Sequence, residues 1–383
     1  MPVAELSTAG IGQLAVAVTV APAGALLVLV ATVALAVFKP GGQTPLPAPL
    51  TSLSAPCPGR LGRVCRPTRP LVHDVGPSAS HHGGRFMTIC DHEVRLAVGG
   101  TAVPGSQDAA VGQPVLLFHD GLGSRLMADP LAAVATHAGL RLVSYDRPGF
   151  GGSTAQPGRR VADAAADVTA IADRLGVDRF AVWGTSGGGP FALACAALLP
   201  DRVVAAALVS PLAPIDAPGL DWSAGMAEQV AQLHRLAAAG REGLRPALGQ
   251  LAEALTATSL AGFVELVSPT LSPPDRAILT TDAGAHLFAD LREGLARGAE
   301  GAIEDELAVV APWGIELTGV RVPVRLWSGA QDTDTPPAHA RWLATAIPGA
   351  SLRQFPDEGH LSLIHGRYRE VVDWLAEHLH RSR

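Results

Sequence analysis

The stretch that most constrains what this chain can fold into is Val182-Trp183-Gly184-Thr185-Ser186-Gly187-Gly188-Gly189, a serine between two glycines set between two apolar runs. Phe180 to Trp183 is short and apolar, as a fully buried parallel strand is. Pro190 to Leu199 is rich in Ala and Leu and ends at Pro200, as a helix does. A strand turning sharply into a helix holds its central side chain at the top of the sheet in a strained conformation, and flanking glycines let strand and helix approach without a Cβ clash. Ser186 is therefore the candidate nucleophile, with Thr185 beside it as a candidate site-lining residue.

From Met87 onward the elements alternate in the way that predicts a parallel sheet with helices on both faces, an α/β fold. Val115 to Phe118 reads as a buried strand followed by His119-Asp120-Gly121-Leu122-Gly123-Ser124, and Arg141 to Tyr145 as the next, closed by Asp146 to Ser153. Val161, Ala165, Val168, Ile171 and Leu175 share one helical face. Val203 to Val209 and Val322 to Trp327 are later strands.

A serine hydroxyl needs a base to take its proton near neutral pH. Trp327-Ser328-Gly329-Ala330-Gln331-Asp332 places an acid in the loop before Pro336, and Phe355-Pro356-Asp357-Glu358-Gly359-His360 places a histidine after the last strand. In the order Ser186, Asp332, His360, the imidazole accepts the serine proton and returns it to the leaving group, while the aspartate holds the tautomer. Asp334 is the rival acid and Asp216 a more distant one.

Residues 217–318 interrupt the alternation with helical patterning alone: Met226 to Ala239, Leu248 to Leu255, Leu260 to Val267, Asp275 to Leu279, Leu287 to Ala296 and Ile303 to Val310. Both junctions fall where catalytic loops emerge, which predicts a helical cap over the site; the alternative is a separate helical subdomain. The expected organisation is a tail at 1–13, a candidate transmembrane helix at 14–38, a disordered proline-rich linker at 39–86, and a core formed by 87–216 and 319–383. Leu14 to Phe38 carries no charge and is long enough to cross a bilayer, although Pro22 and Gly24 weaken its helical reading. Lys39 and the arginines beyond it would leave the catalytic region cytoplasmic. If the chain biologically begins at Met87, there is no anchor and the protein is cytoplasmic.

Of the 383 residues 48% are hydrophobic, enough for a substantial core, and the net charge of -6 leaves no footprint for nucleic acid. Cys57, Cys65, Cys90 and Cys195 show neither metal-ligand spacing nor a dense disulfide pattern, and Cys195 reads as a small core residue. No metal and no cofactor are expected; the oligomeric state is open.

From about Met87 to His380 the chain resembles the α/β-hydrolase superfamily, most closely its capped serine-hydrolase branch with proline iminopeptidase-like and esterase-like members. The matching pieces are His119 to Ser124, Asp146 to Ser153, the turn at Ser186, Gly329 to Pro336, and Gly359-His360. The resemblance implies an oxyanion hole from the backbone amides of Gly121 and Gly187, with His119 and Asp120 lining the site. Asp120 departs from the pattern, since this branch usually has glycine there. A carboxylate facing the site would oppose the oxyanion, so Asp120→Gly is expected to raise kcat if the side chain points inward. Ser186 argues against haloalkane dehalogenase and epoxide hydrolase chemistry, whose nucleophile is aspartate. The leading reading is hydrolysis of an ester or related acyl bond of a small-molecule substrate through an acyl-serine. Carbon–carbon hydrolases, cofactorless haloperoxidases, aminopeptidases and a non-catalytic ligand-binding homologue are alternatives. An aminopeptidase would need cap acids for the substrate amine; Glu228, Glu253, Glu265, Glu304, Asp305 and Glu306 are available, but acids on helices are usually solvated.

Overall fold

The computed structural model describes residues 85–89, 92–98 and 112–381. Eight strands form one sheet: β1 (Arg85–Ile89), β2 (His92–Val98), β3 (Gln113–Phe118), β4 (Leu140–Tyr145), β5 (Phe180–Thr185), β6 (Val203–Val209), β7 (Val324–Gly329) and β8 (Ser351–Phe355). Their order is β1-β2-β4-β3-β5-β6-β7-β8. β1 and β2 pair antiparallel with each other, as β2 does with β4, and the six strands from β4 across to β8 are parallel. The expected start at Met87 falls inside β1, where Arg85 already pairs with Leu96 and Phe86 with Arg95.

Strand alternation sends side chains to opposite faces, and each face has its own core. Phe180 and Val182 pack with Leu116, Phe118 and Leu208 against α2 (Ala164–Arg174), α3 (Gly189–Leu198) and α10 (Pro337–Ala346). Ala181 and Trp183 pack with Val115, Leu117 and Val209 against α1 (Ala132–His137) and α12 (Tyr368–Arg381). Burying each such Leu or Phe stabilises the fold by about 2 kcal/mol. Cys195 is fully buried in α3.

Between β6 and β7 lie six helices: α4 (Glu228–Ala239), α5 (Arg241–Ala257), α6 (Leu260–Val267), α7 (Pro273–Ile278), α8 (Asp282–Gly294) and α9 (Glu300–Val309). They share a core of Leu244, Leu248, Phe263, Phe288 and Ile303, into which Phe150 and Leu361 enter from outside the cap. Gly149 has φ 90, and a Cβ there would sit 2.6 Å from Gly301 Cα, so only a bare backbone lets α9 dock on this loop.

The chain leaves β3 for β4 on one side and returns to β5 on the other, so the loops after β3 and β5 diverge from adjacent strand ends. In open α/β sheets this crevice is where ligands bind. No helix among the described residues is long and apolar enough to cross a membrane; the segment 14–38 and most of the linker 39–86 lie outside those residues.

Candidate active site

Ser186 sits at the end of β5 with φ 50, a left-handed conformation uncommon for a residue with a side chain. Close packing imposes it. A Cβ on Gly184 would lie 2.7 Å from Ala192 Cβ, Gly188 O and Gly189 Cα. The turn from β5 into α3 is therefore too tight for any residue but glycine at that position. A Cβ on Gly187 would meet Gly121 Cα at 3.0 Å and Gly121 N at 3.1 Å, so the backbones after β3 and β5 touch beside Ser186.

His360 begins α11 (His360–Gly366) and is 5% exposed. Its Nδ1 lies 2.9 Å from Asp332 Oδ2 and 3.0 Å from Oδ1. Asp332 also accepts from the backbone N–H of Asp334 at 2.9 Å and of Thr335 at 2.8 Å, both on Oδ1. The Thr335 hydroxyl stands 3.0 Å from Asp332 Oδ2 and 2.9 Å from the Ser210 carbonyl, with one proton to donate between them. Of the two rival acids, Asp332 is the one against the imidazole, and Asp334 faces the cavity instead.

Burial disfavours the charged form of both partners, yet each is held charged by the other. For Asp332, desolvation is outweighed by the His360 charge and the hydrogen bonds it accepts, and its pKa falls below the usual carboxylate value. For His360, desolvation is outweighed by Asp332, with Asp334 and Asp275 adding to it, and the pKa is pushed up to about 10.

A cavity of about 280 Å³ joins these parts, with Ser186, Gly187, Gly121, Asp120 and His360 on its wall. Most of the remaining lining is apolar and comes from the cap, including Leu233, Leu251, Leu255, Leu271, Leu279 and Leu291. Of the residues expected to line the site, His119 and Thr185 stand outside this cavity. His119 is fully buried beneath the loop, donating from Nδ1 to the Asp120 carbonyl at 2.8 Å and accepting the Arg147 N–H at Nε2 at 3.2 Å. Burial and the Arg147 charge hold its pKa well below 6.5, so it is a neutral, structural ring. Thr185 is buried at the base of the turn.

Asp120 does face the cavity, but its Oδ1 accepts the N–H groups of Gly123 at 2.6 Å and Leu122 at 3.1 Å. The carboxylate thus closes a turn of its own loop, the local hydrogen bonding Asp favours in such turns.

Sequence patterning named Asp305 only as an available cap acid, and did not find Asp275, Asp290 or Glu293, or the partners by which all four grip the loops of the site. Asp275 in α7 accepts from His360 N at 2.9 Å and Ser362 N at 2.8 Å. Asp290 in α8 accepts from Ser124 N at 3.0 Å and Ser124 Oγ at 2.6 Å, and Glu293 pairs with Arg125 at 2.7 Å. Asp305 in α9 binds Arg147 and Arg159, while Arg147 donates to the carbonyls of His119 and Asp120 at 2.5 and 2.8 Å. Glu304, Asp305 and Glu306 are 1%, 3% and 9% exposed, so these cap acids are not the solvated residues that helix composition predicts. An acid set among leucines in a helical stretch was the available signal, but nothing local names its partner.

Residues 113–366 match the family described as alpha/beta hydrolase fold. A pimeloyl-[acyl-carrier protein] methyl ester esterase of Chromobacterium violaceum is 31% identical over 270 residues, covering 70% of this chain and 94% of that protein. Among solved structures, the enol-lactonase of Burkholderia xenovorans LB400 has a TM-score of 0.56 at 23% identity, covering 77% of this chain and 99% of that one. The esterase EaEST of Exiguobacterium antarcticum has a TM-score of 0.55 at 19% identity, covering 77% and 98%. These two likenesses are likenesses of fold. The chain belongs to the α/β-hydrolase fold family and is a hydrolase.

Proposed function

We propose that this hydrolase cleaves a carboxylic ester with an apolar acyl group through an acyl-serine intermediate. The observation that carries the reading is the bonded His360–Asp332 pair opening on the same leucine-lined cavity as Ser186, at the point where Gly121 and Gly187 meet. The 31% identical methyl ester esterase supports the ester class. The apolar wall supports an acyl chain over a charged group, since burying an unpaired charge there would be costly.

In this reading His360 Nε2 takes the Ser186 hydroxyl proton as Oγ attacks the acyl carbon. The carbonyl electrons move to oxygen, which the amides of Gly121 and Gly187 stabilise, while Asp332 stabilises the imidazolium. Collapse expels the alcohol, which leaves with the proton from His360. Water, deprotonated by His360, then attacks the acyl carbon; the bond to Oγ breaks, the acid is released, and His360 returns the proton to Ser186 Oγ. A pH near neutrality leaves the raised His360 pKa as the main restraint on the base form.

A panel of p-nitrophenyl esters of increasing acyl length, with aminoacyl-arylamides alongside, tests the reading together with a fluorophosphonate probe. Labelling at Ser186, preference for longer acyl chains, and a loss of kcat by several orders of magnitude in Ser186→Ala and His360→Ala are expected. Esterase activity surviving Ser186→Ala would sink the assignment. For the amino terminus, the uncharged run 14–38 supports a membrane anchor, and Lys39 with the arginines beyond it supports a cytoplasmic catalytic domain, the alternative being a cytoplasmic protein that starts at Met87. Release of full-length protein from membranes by carbonate would remove the anchor reading.

A further inference from the structure

Within the leucine-lined cavity stands one polar pair that the hydrolytic chemistry does not use. His234 of α4 and Glu306 of α9 are 7% and 9% exposed, and both line the cavity. Their facing atoms, Nδ1 and Oε2, lie 2.9 Å apart, within ion-pair distance, and neither atom has a hydrogen-bond partner elsewhere. The imidazole packs nearly perpendicular to the Trp222 ring, with ring centroids 4.8 Å apart. The other carboxylate oxygen, Oε1, points toward the oxyanion loop, 3.9 Å from where a Cβ on Gly121 would lie.

Consecutive positions on a helix point about 100° apart, and the three acids of α9 are spent differently. Glu304 accepts from Gly158 N at 2.8 Å and pairs with Arg241, and Asp305 pairs with Arg147 and Arg159. Glu306 alone of the three is turned into the cavity, without an arginine. A buried polar group left underpartnered costs stability unless a ligand completes it. An apolar cavity with a few convergent polar groups is also how binding sites fix a substrate's orientation.

We propose that Glu306 and His234 form a specificity site for a hydroxyl group on the acyl chain, on its second or third carbon counting the scissile carbonyl as the first. The inference rests on the esterase reading above and names its substrate class: hydroxylated apolar acyl esters. A hydroxyl donates one hydrogen bond and accepts others, so it can give its proton to a Glu306 oxygen while facing the His234 ring. An ammonium would bring three donors and no acceptor, so it could not use the His234 ring as a donor, whereas a hydroxyl can use both members of the pair; the other two carboxylates on the wall, Asp120 and Asp334, belong to the loops after β3 and β7. The apolar lining beyond the pair takes the remaining carbons of the chain.

The test compares kcat/KM for p-nitrophenyl octanoate, its 2-hydroxy and 3-hydroxy analogues, and a p-nitrophenyl aminoacyl ester on full-length protein. A site built around a hydroxyl rejects the analogue lacking it strongly, so one hydroxylated ester is expected to exceed the octanoate by about tenfold or more. In Glu306→Leu and His234→Phe that ratio should fall toward one, with thermal unfolding followed to show that the variants are folded. Should both variants fail to fold, wild-type protein decides the matter through competitive inhibition by 4-hydroxy-2-nonanone against 2-nonanone; tighter binding of the hydroxylated ketone is expected. A wild-type ratio near one with brisk octanoate turnover would overturn the specificity site and leave the esterase reading standing. Preference for the aminoacyl ester would overturn it in favour of an ammonium site. Absence of ester turnover and of Ser186 labelling would remove both.

Discussion

Asp275, in the cap, accepts the backbone N–H of His360 at 2.9 Å and so anchors the first turn of the helix that carries the catalytic base candidate. Its second oxygen takes Ser362 N at 2.8 Å, and Ser272 Oγ donates to Oδ2 at 2.7 Å, which leaves the 1% exposed carboxylate well satisfied. Asp275→Ala is expected to lower kcat about tenfold with a smaller change in KM, and to destabilise the protein by about 1–3 kcal/mol because two buried N–H groups lose their acceptor. Asp275→Asn, which keeps one acceptor oxygen, should recover part of the kcat. Steady-state kinetics beside urea unfolding separates the positioning effect from a loss of fold, and an unchanged kcat in folded Asp275→Ala would refute it.

Asp305 ties Arg147 and Arg159 into one buried cluster, and Arg147 in turn holds the carbonyls of His119 and Asp120. Removing one partner of a buried ion pair leaves the other charge uncompensated. Asp305→Ala is therefore expected to destabilise by about 3–5 kcal/mol, read as a fall in urea midpoint, and to lower kcat through disorder of the loop bearing Gly121. A midpoint within error of wild type would show that the cluster does not clamp cap to core.

The raised His360 pKa gives a signed pH dependence. The base form is needed, so kcat/KM should climb with pH along a limb lying above 6.5 and extending toward about 10. Asp334 contributes to holding the imidazolium, so Asp334→Asn should move that limb to lower pH by about one unit, roughly tenfold in kcat/KM on its acid side. For stability the signs differ by partner. The Asp332 contribution is present above its unfolded value of 3.8 and is lost as pH falls through the folded value, whereas the His360 contribution is full below 6.5 and is lost as pH rises through about 10. A rate limb at 6.5 in wild type would contradict this electrostatic picture.

Asp120 separates charge from geometry. Because its Oδ1 holds Leu122 N and Gly123 N, Asp120→Gly should loosen the loop and lower kcat rather than raise it. Asp120→Asn keeps an acceptor oxygen while removing the charge next to Gly121, the proposed oxyanion donor, and is expected to raise kcat a few-fold. The two variants assayed with one short-chain ester distinguish these effects; equal behaviour of both would mean that the turn does not matter.

Ser186, Asp332 and His360 were legible in the chain because each sits in a local context with a backbone requirement of its own. Gly184 must be bare for β5 to meet α3, and Asp332 stands three residues after Gly329 and four before Pro336, a spacing that Asp334 does not have. Short, continuous apolar runs at Val115 to Phe118 and Phe180 to Trp183 marked buried strands of the sheet, and helical periodicity marked the helices between β6 and β7. What only the tertiary structure decided is who meets whom across the chain: Asp275 with His360, Asp305 with Arg147, Glu306 with His234. Helical propensity and apolar period place an acid on a helix but do not choose its partner, since a carboxylate reads alike whether it faces water or an amide 85 residues away. Burial makes that choice, because a charge carried into the interior must find a donor there, and the donors available are set by which loops the cap covers.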